Sequence, residues 1–389
     1  MMELFLASRQ WAERPADQRF WDIIEAEKEC RGYMETAREL PVHYRDLRTE
    51  AVDGEVRLVG RQDRPALLTH WSFGQLASRA GAPPAYLRTL PATLAVQNIN
   101  HGLKGKAADV SAKMLLHENG SILCRAFTSD DYKRIWNAQI FSLLVPLLGD
   151  GWRTPPARLC RNANDPRSRL ATESDVMTRG GASGLSVKVG DRIAPAGVYA
   201  SDHDMFCYMV NEGHTVKTAQ GDLATGFFVW NSEVGDKSFG VCRFLYNYTC
   251  GNRIVYGTQD VQEIRMSHVG HAPERAARHL RIELRQYADE PVSGLEAKIK
   301  TVQAYDLGAT KEEALSAVLG IAAKKRIDLR AKQLDAAYDI AELHSDWYGS
   351  PRTLWGMANG LTELSQQTPH ADTRAHIDRA AGRLLDAAF

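Results

Sequence analysis

Residues 225–256 constrain the fold more than any other stretch. They read TGFFVWNSEVGDKSFGVCRFLYNYTCGNRIVY. Phe227, Phe228, Val229 and Trp230 are consecutive apolar strand formers, and 231–238 supply the polar and glycine residues that reverse a chain. Residues 239–248 return as an aromatic, β-branched run, and a third run follows a tight Cys-Gly-Asn corner. An antiparallel hairpin with a buried return strand is the expectation.

The rest of the chain supplies smaller elements around that hairpin. Asp53-Gly54, bracketed by 51–52 and 56–59, predicts one short hairpin, and Asn119-Gly120 inside the run 110–127 predicts another. Phe20, Ile23, Ile24 and Glu27 carry helical spacing, and 40–44 reads as extended. Between Thr69 and Leu103 the pattern is helical and broken by Pro83, Pro84 and Pro91, with Gly81 ending the first helix. This pair fits a packed helical corner, and it also fits a helix-turn-helix that would offer Arg88 to DNA. Ser129 is a candidate N-cap for a helix running to Gly149, with Asp130 and Asp131 in its first turn. From Pro273 onward the periodicity is helical almost to the C-terminus. These elements predict an α+β fold: a mainly antiparallel central sheet, an α-rich N-terminal region with a small hairpin, and a C-terminal helical layer. The regions expected are 1–109, 110–271 and 272–389.

Global charge does not select a partner. Lys plus Arg and Asp plus Glu are both 48, so any basic footprint has to be local. No run approaches the length of a membrane-spanning helix, and the six cysteines contain no Cys-x-x-Cys pair. The start has only a four-residue apolar core and no cationic leader, so a cytoplasmic protein with reduced thiols is expected.

Local basic patches do exist. Residues 152–169 hold Arg153, Arg158, Arg161, Arg167 and Arg169 against the single acid Asp165, beside Trp152. On the helix after Pro273, Arg275, Arg278, Arg281 and Arg285 cluster opposite an apolar stripe, although Glu274 and Glu283 share that helix. Arg243 and Arg253 flank the central hairpin near Trp230 and Tyr246. Arginine beside aromatic rings suits flexible phosphate backbones, while the bland reading of each patch is a solvated face paired with acids. Metal chemistry has weaker signals. Asp202, His203 and Asp204 head an apolar element, and His268 and His271 form a His-x-x-His pair that lacks the helical HExxH spacing. The Gly-rich 178–190 lacks the phosphate-loop spacing and reads as a plain turn.

Several segments together carry a resemblance: THWSFGQLASRAGAPPAYLRTLP, NINHGL, RAFTSDDYKRIWN, the central hairpin, SHVGH and TLWGMANGLTEL. Over about 65–370 the chain resembles the phage/plasmid-like domain-of-unknown-function family. Its specific part is carried by Asn231, Ser232, Glu233, Gly235, Cys250, Asn252 and His268. One departure is Arg253, which stands where a glycine would follow the Cys-x-Asn. If that glycine serves close backbone approach to a ligand, the contact is lost here. The resemblance transfers no activity, but it implies a setting of mobile elements, where accessory proteins handle DNA.

Three functions follow as expectations. The first is a phage- or plasmid-type DNA-metabolism protein that binds, and anneals, single-stranded DNA as a homo-oligomer without a cofactor. It would use Trp152 with Arg153, Arg158, Arg161, Arg243, Arg253, Arg278, Arg281 and Arg285. The second is a divalent-metal phosphodiesterase with Asp202, Asp204, His268 and His271 as ligands. The third is a non-catalytic structural or interaction component, in which Asn231 and Ser232 bond their own turn and Cys250 is a core thiol.

Overall fold

The computed structural model describes residues 19–60, 64–106, 110–155, 157–160, 164–177, 187–195, 197–201, 204–218, 221–247, 253–254, 264–289, 292–366 and 371–389. It is an α+β fold with antiparallel sheets.

The chain enters through β1 (Arg19–Phe20) and α1 (Ile23–Glu35), whose N-cap Asp22 accepts from the backbone N–H groups of Ile24 and Glu25. A six-stranded sheet follows, built from β2 (Ala37–His43), β3 (Arg48–Val52), β4 (Glu55–Val59), β5 (Ala66–Leu68), β6 (Ser111–Asn119) and β7 (Ser121–Thr128). Its order is β2-β6-β7-β5-β4-β3, with β5 and β7 parallel. Both predicted tight hairpins are present, at Asp53-Gly54 and at Asn119-Gly120. The second joins this first sheet, however, and not the central one to which its position at 110–127 pointed. Its strand β6 pairs with β2, which sequence spacing alone does not disclose. The helices α2 (His70–Ala80), α3 (Pro84–Leu87) and α4 (Ala92–Lys104) accompany the sheet. Phe73, Leu76, Ala95 and Ile99 pack from α2 and α4 against Leu58, Met114 and Cys124. The packed corner is therefore what forms here. The single-turn α3 is too short for a recognition helix, and Arg88 donates 2.9 Å to the His70 carbonyl while stacking on Phe73.

Residues 129–136 do not continue a helix. The helix α5 spans only Asn137–Leu144, seven residues later than the Ser129 cap would place it. A 3₁₀ stretch follows to Asp150, and Gly151 ends it with a left-handed φ of 82°. Beyond it lie β8 (Trp152–Arg153), then β9 (Arg158–Leu159), β10 (Arg169–Leu170) and β11 (Arg192–Ala194), which form a small sheet in the order β10-β11-β9, with the short α6 (Glu173–Met177) between β10 and β11.

The central sheet is antiparallel and has eight strands among the described residues: β12 (Val198–Ala200), β13 (Met205–Thr218), β14 (Gly221–Asn231), β15 (Phe239–Asn247), β16 (Arg253–Ile254) and β17 (Ile264–Met266), with β1 paired to β12 and β8 paired to β13. The expected hairpin is β14 and β15, in register from Leu223 opposite Asn247 to Trp230 opposite Gly240. One face buries Met205, Cys207, Phe227, Val229 and Val241 beneath α1, α5 and α7 (Ala272–Asp289). The opposite face carries Phe206, Tyr208, Phe228, Trp230 and Phe244. The C-terminal layer is α8 (Val292–Ala304), α9 (Lys311–Lys325), α10 (Ala331–Leu343), α11 (Ser345–Tyr348), α12 (Leu354–Gln366) and α13 (Ala371–Leu385). It packs on Val216, Leu223 and Leu245 at the far end of the central strands. Among the described residues, no helix is long and apolar enough to cross a membrane.

Candidate functional site

The first half of the turn between β14 and β15, through Val234, is buried although its sequence is largely polar. Asn231, Ser232 and Glu233 are at most 1 % exposed. Two forces hold it inside. Locally, the Ser232 hydroxyl accepts from the backbone N–H groups of Val234 (3.3 Å) and Asp236 (3.0 Å), and Gly235 supplies a φ of 84° that a side-chain residue rarely adopts. At longer range, the turn is inserted against the outer face of the first sheet. Val234 packs with Leu115 of β6 and Ala126 of β7, and Trp71 Nε1 donates to its carbonyl at 3.1 Å.

Glu233 is the pivot of this contact. One carboxylate oxygen accepts from Arg125 on β7 at 2.8 Å, and the other accepts from the backbone N–H of Asn137, the first residue of α5, also at 2.8 Å. The second bond satisfies one of the free donors of the helix and places a negative charge at its positive end. Arg125 in turn lies 5.0 Å over the Tyr33 ring of α1. The Asn231 amide donates to the Ile135 carbonyl and to Asn137 Oδ1, both at 2.8 Å, and Tyr132 Oη donates to the Ser232 carbonyl at 2.9 Å. These bonds hold 132–136 out of helical geometry, which is why α5 starts late.

His268 completes the cluster. Its ring stacks on Tyr132 at 4.8 Å and 9°, and its carbonyl accepts from the Lys133 N–H at 2.7 Å. Burial, aided by the nearby Arg134 guanidinium, pulls its pKa down to about 4, so it is neutral at physiological pH. Among the described residues, neither ring nitrogen has a hydrogen-bond partner. Arg134 lies over the Tyr132 and Trp136 rings and pairs with Glu39 of β2 at 2.7 Å. Burial raises both the Cys30 thiol and the Tyr132 phenol, so neither is an activated nucleophile. The arrangement is a lock between two sheets. Cys250 and Asn252 of the same motif lie outside the described residues.

The basic patches separate into used and free arginines. Trp152 is 4 % exposed and packs on Phe227, so its ring is not available to a base. Trp230 lies beneath Arg379 of α13 at 5.1 Å. Arg167 bonds the Arg19 carbonyl and Glu25, Arg169 makes a two-pronged pair with Asp175, and Arg243 faces Glu283 of α7 at 3.7 Å. Arg153 is half-buried on β8. Arg161 lies outside the described residues, as do the side chains of Arg158, Arg253 and Arg285. Arg278 and Arg281 differ from the others. Both are exposed on α7, neither has an acidic partner among the described residues, and both line a depression of about 510 Å³ with Glu274, Ala277 and Ile282.

The metal candidates do not converge among the described residues. Asp204 is fully buried, bonds the Ser201 hydroxyl at 2.7 Å and faces the Lys237 ammonium at 3.7 Å. His271 is exposed at the start of α7, Asp202 lies outside the described residues, and no group of three or more His, Cys, Asp or Glu side chains among those described could hold an ion.

With this geometry in hand, comparison with known families gives one match: the model of a domain of unknown function, DUF932, matches residues 181–388, more than half of the chain. The chain belongs to this family. No curated protein and no solved structure matches it. The DUF932 span contains Asn231, Ser232, Glu233, Gly235, His268, Arg278 and Arg281. The residues that receive the turn, Arg125, Tyr132 and Asn137, all precede that span. The lock is therefore made between the DUF932 region and the chain before it. Sequence reasoning missed Arg125, although a signal was present, since an arginine within the apolar strand ILCRAF is rarely buried without a partner.

Proposed function

We propose that the protein is a DNA-metabolism accessory protein, of phage or plasmid type, that binds single-stranded nucleic acid without cleaving it. The observation that carries this reading is the pair of exposed guanidiniums of Arg278 and Arg281 on α7, which have no acidic partner among the described residues. Other arginines of the sequence patches are engaged by Asp175, Glu25 or Glu283, whereas these two can meet phosphates without breaking an internal pair. A formal net charge of zero keeps the attraction local to this face.

The test is fluorescence anisotropy with labelled single- and double-stranded oligonucleotides across a salt series, with products run on a gel. Salt-sensitive retention of intact single strands is expected. In the double variant Arg278→Ala/Arg281→Ala, the slope of log K against log salt should shrink by about 1.4, about 0.7 for each lost phosphate contact. An unchanged slope would remove α7 from the interface, and strand cleavage would replace binding with hydrolysis.

A further inference from the structure

Beside the arginine-lined depression lies a second cavity of about 300 Å³, between α5 and α7. Its walls are Ile135, Ile140, Leu143, Ala277 and Leu280, with Phe239 of β15 among them. Glu274 and Ala277 line both cavities, so the two adjoin along α7. We propose that this groove receives an unstacked nucleobase of a bound single strand while Arg278 and Arg281 hold the adjacent phosphates, an inference that rests on the nucleic-acid reading above.

The argument is one of complementary chemistry. The groove is apolar inside and lies at the low end of the roughly 300–1,000 Å³ range of small-ligand pockets. The cations sit along one edge only, three residues apart on the same helix. An occupant of both cavities would place an apolar group beside an anionic one, as a nucleotide strand does with base and phosphate. The exposed side chains of Gln139 and Glu274 stand among the lining residues, where the polar edge of a base would lie. A duplex keeps its bases in the stack, so it can use the arginines but not the groove. Single-strand preference follows without any aromatic platform.

The experiment compares an intact oligonucleotide with one of the same length carrying abasic sites, so that the phosphate count is constant. Binding about tenfold weaker to the abasic strand, with the same salt slope, is expected. Ala277→Phe, which fills the groove, should erase that difference and keep the slope. Equal affinity of wild-type protein for intact and abasic strands would overturn the groove proposal and leave the arginine face standing. Absence of salt-sensitive binding to any strand would overturn both. The abasic comparison needs no variant, so it decides the matter even if Ala277→Phe does not fold.

Discussion

At the scale of single residues, Glu233 is held by two donors from two elements, and both lose their partner if the carboxylate is removed. A buried ion pair broken on one side leaves an uncompensated charge. Glu233→Leu should therefore lower stability by about 3–5 kcal/mol in chemical denaturation, and Arg125→Met by a similar amount. The double variant should lose much less than the sum, and additive losses would show that the two side chains do not act as a pair. His268 gives a prediction in pH. Its pKa is about 4 in the folded protein against an ordinary 6.5, so the unfolded chain binds the proton first. Its contribution is fully present above pH 6.5 and is lost as pH falls from there through 4, an amount of at most about 3–4 kcal/mol. His268→Gln should flatten that part of the stability profile, and an unchanged profile would assign the acid sensitivity elsewhere. The motif residues Asn231, Ser232, Glu233 and His268 were legible from the family resemblance, but their partners were not. A side chain's partner about 100 positions or more away leaves no trace in local spacing, and Arg167, whose partner is Glu25, looked as free as Arg278 and Arg281 for the same reason.

At the scale of elements, local chemistry was legible wherever it was sufficient. The Asp53-Gly54 and Asn119-Gly120 hairpins, the strands β14 and β15 and the C-terminal helices all follow from turn residues and periodicity. The start of α5 was not legible, because Asn231, Glu233 and Tyr132 outbid the cap signal of Ser129 with tertiary hydrogen bonds. Sheet membership of β6 and β7 was hidden too, since pairing with β2 is a non-local choice. Within the central hairpin, Gly240 sits opposite Trp230, and a Cβ there would lie 2.0 Å from the indole Cζ2. The glycine lets the ring lie flat across the neighbouring strand. Gly240→Ala should cost at least about 1–3 kcal/mol and lower the melting temperature, because the ring has to leave its position under Arg379. A melting temperature equal to that of the wild type would show that Trp230 has room to move.

At the scale of the whole molecule, the inserted turn joins two sheets that each have their own core. Val234, seated between Leu115 and Ala126, is the apolar part of that joint. Val234→Asp should uncouple the sheets, so that melts followed by tryptophan fluorescence and by far-ultraviolet circular dichroism no longer coincide. Coincident melts would mean that other contacts carry the coupling. The joint also bears on how the chain is made. Arg125 and its carboxylate partner are 108 positions apart, and a ribosome adding about 5–20 residues per second needs about 5–20 s to cover that distance. Until Glu233 has been made, Arg125 has no carboxylate to pair with, so the joint between the sheets can close only late in synthesis.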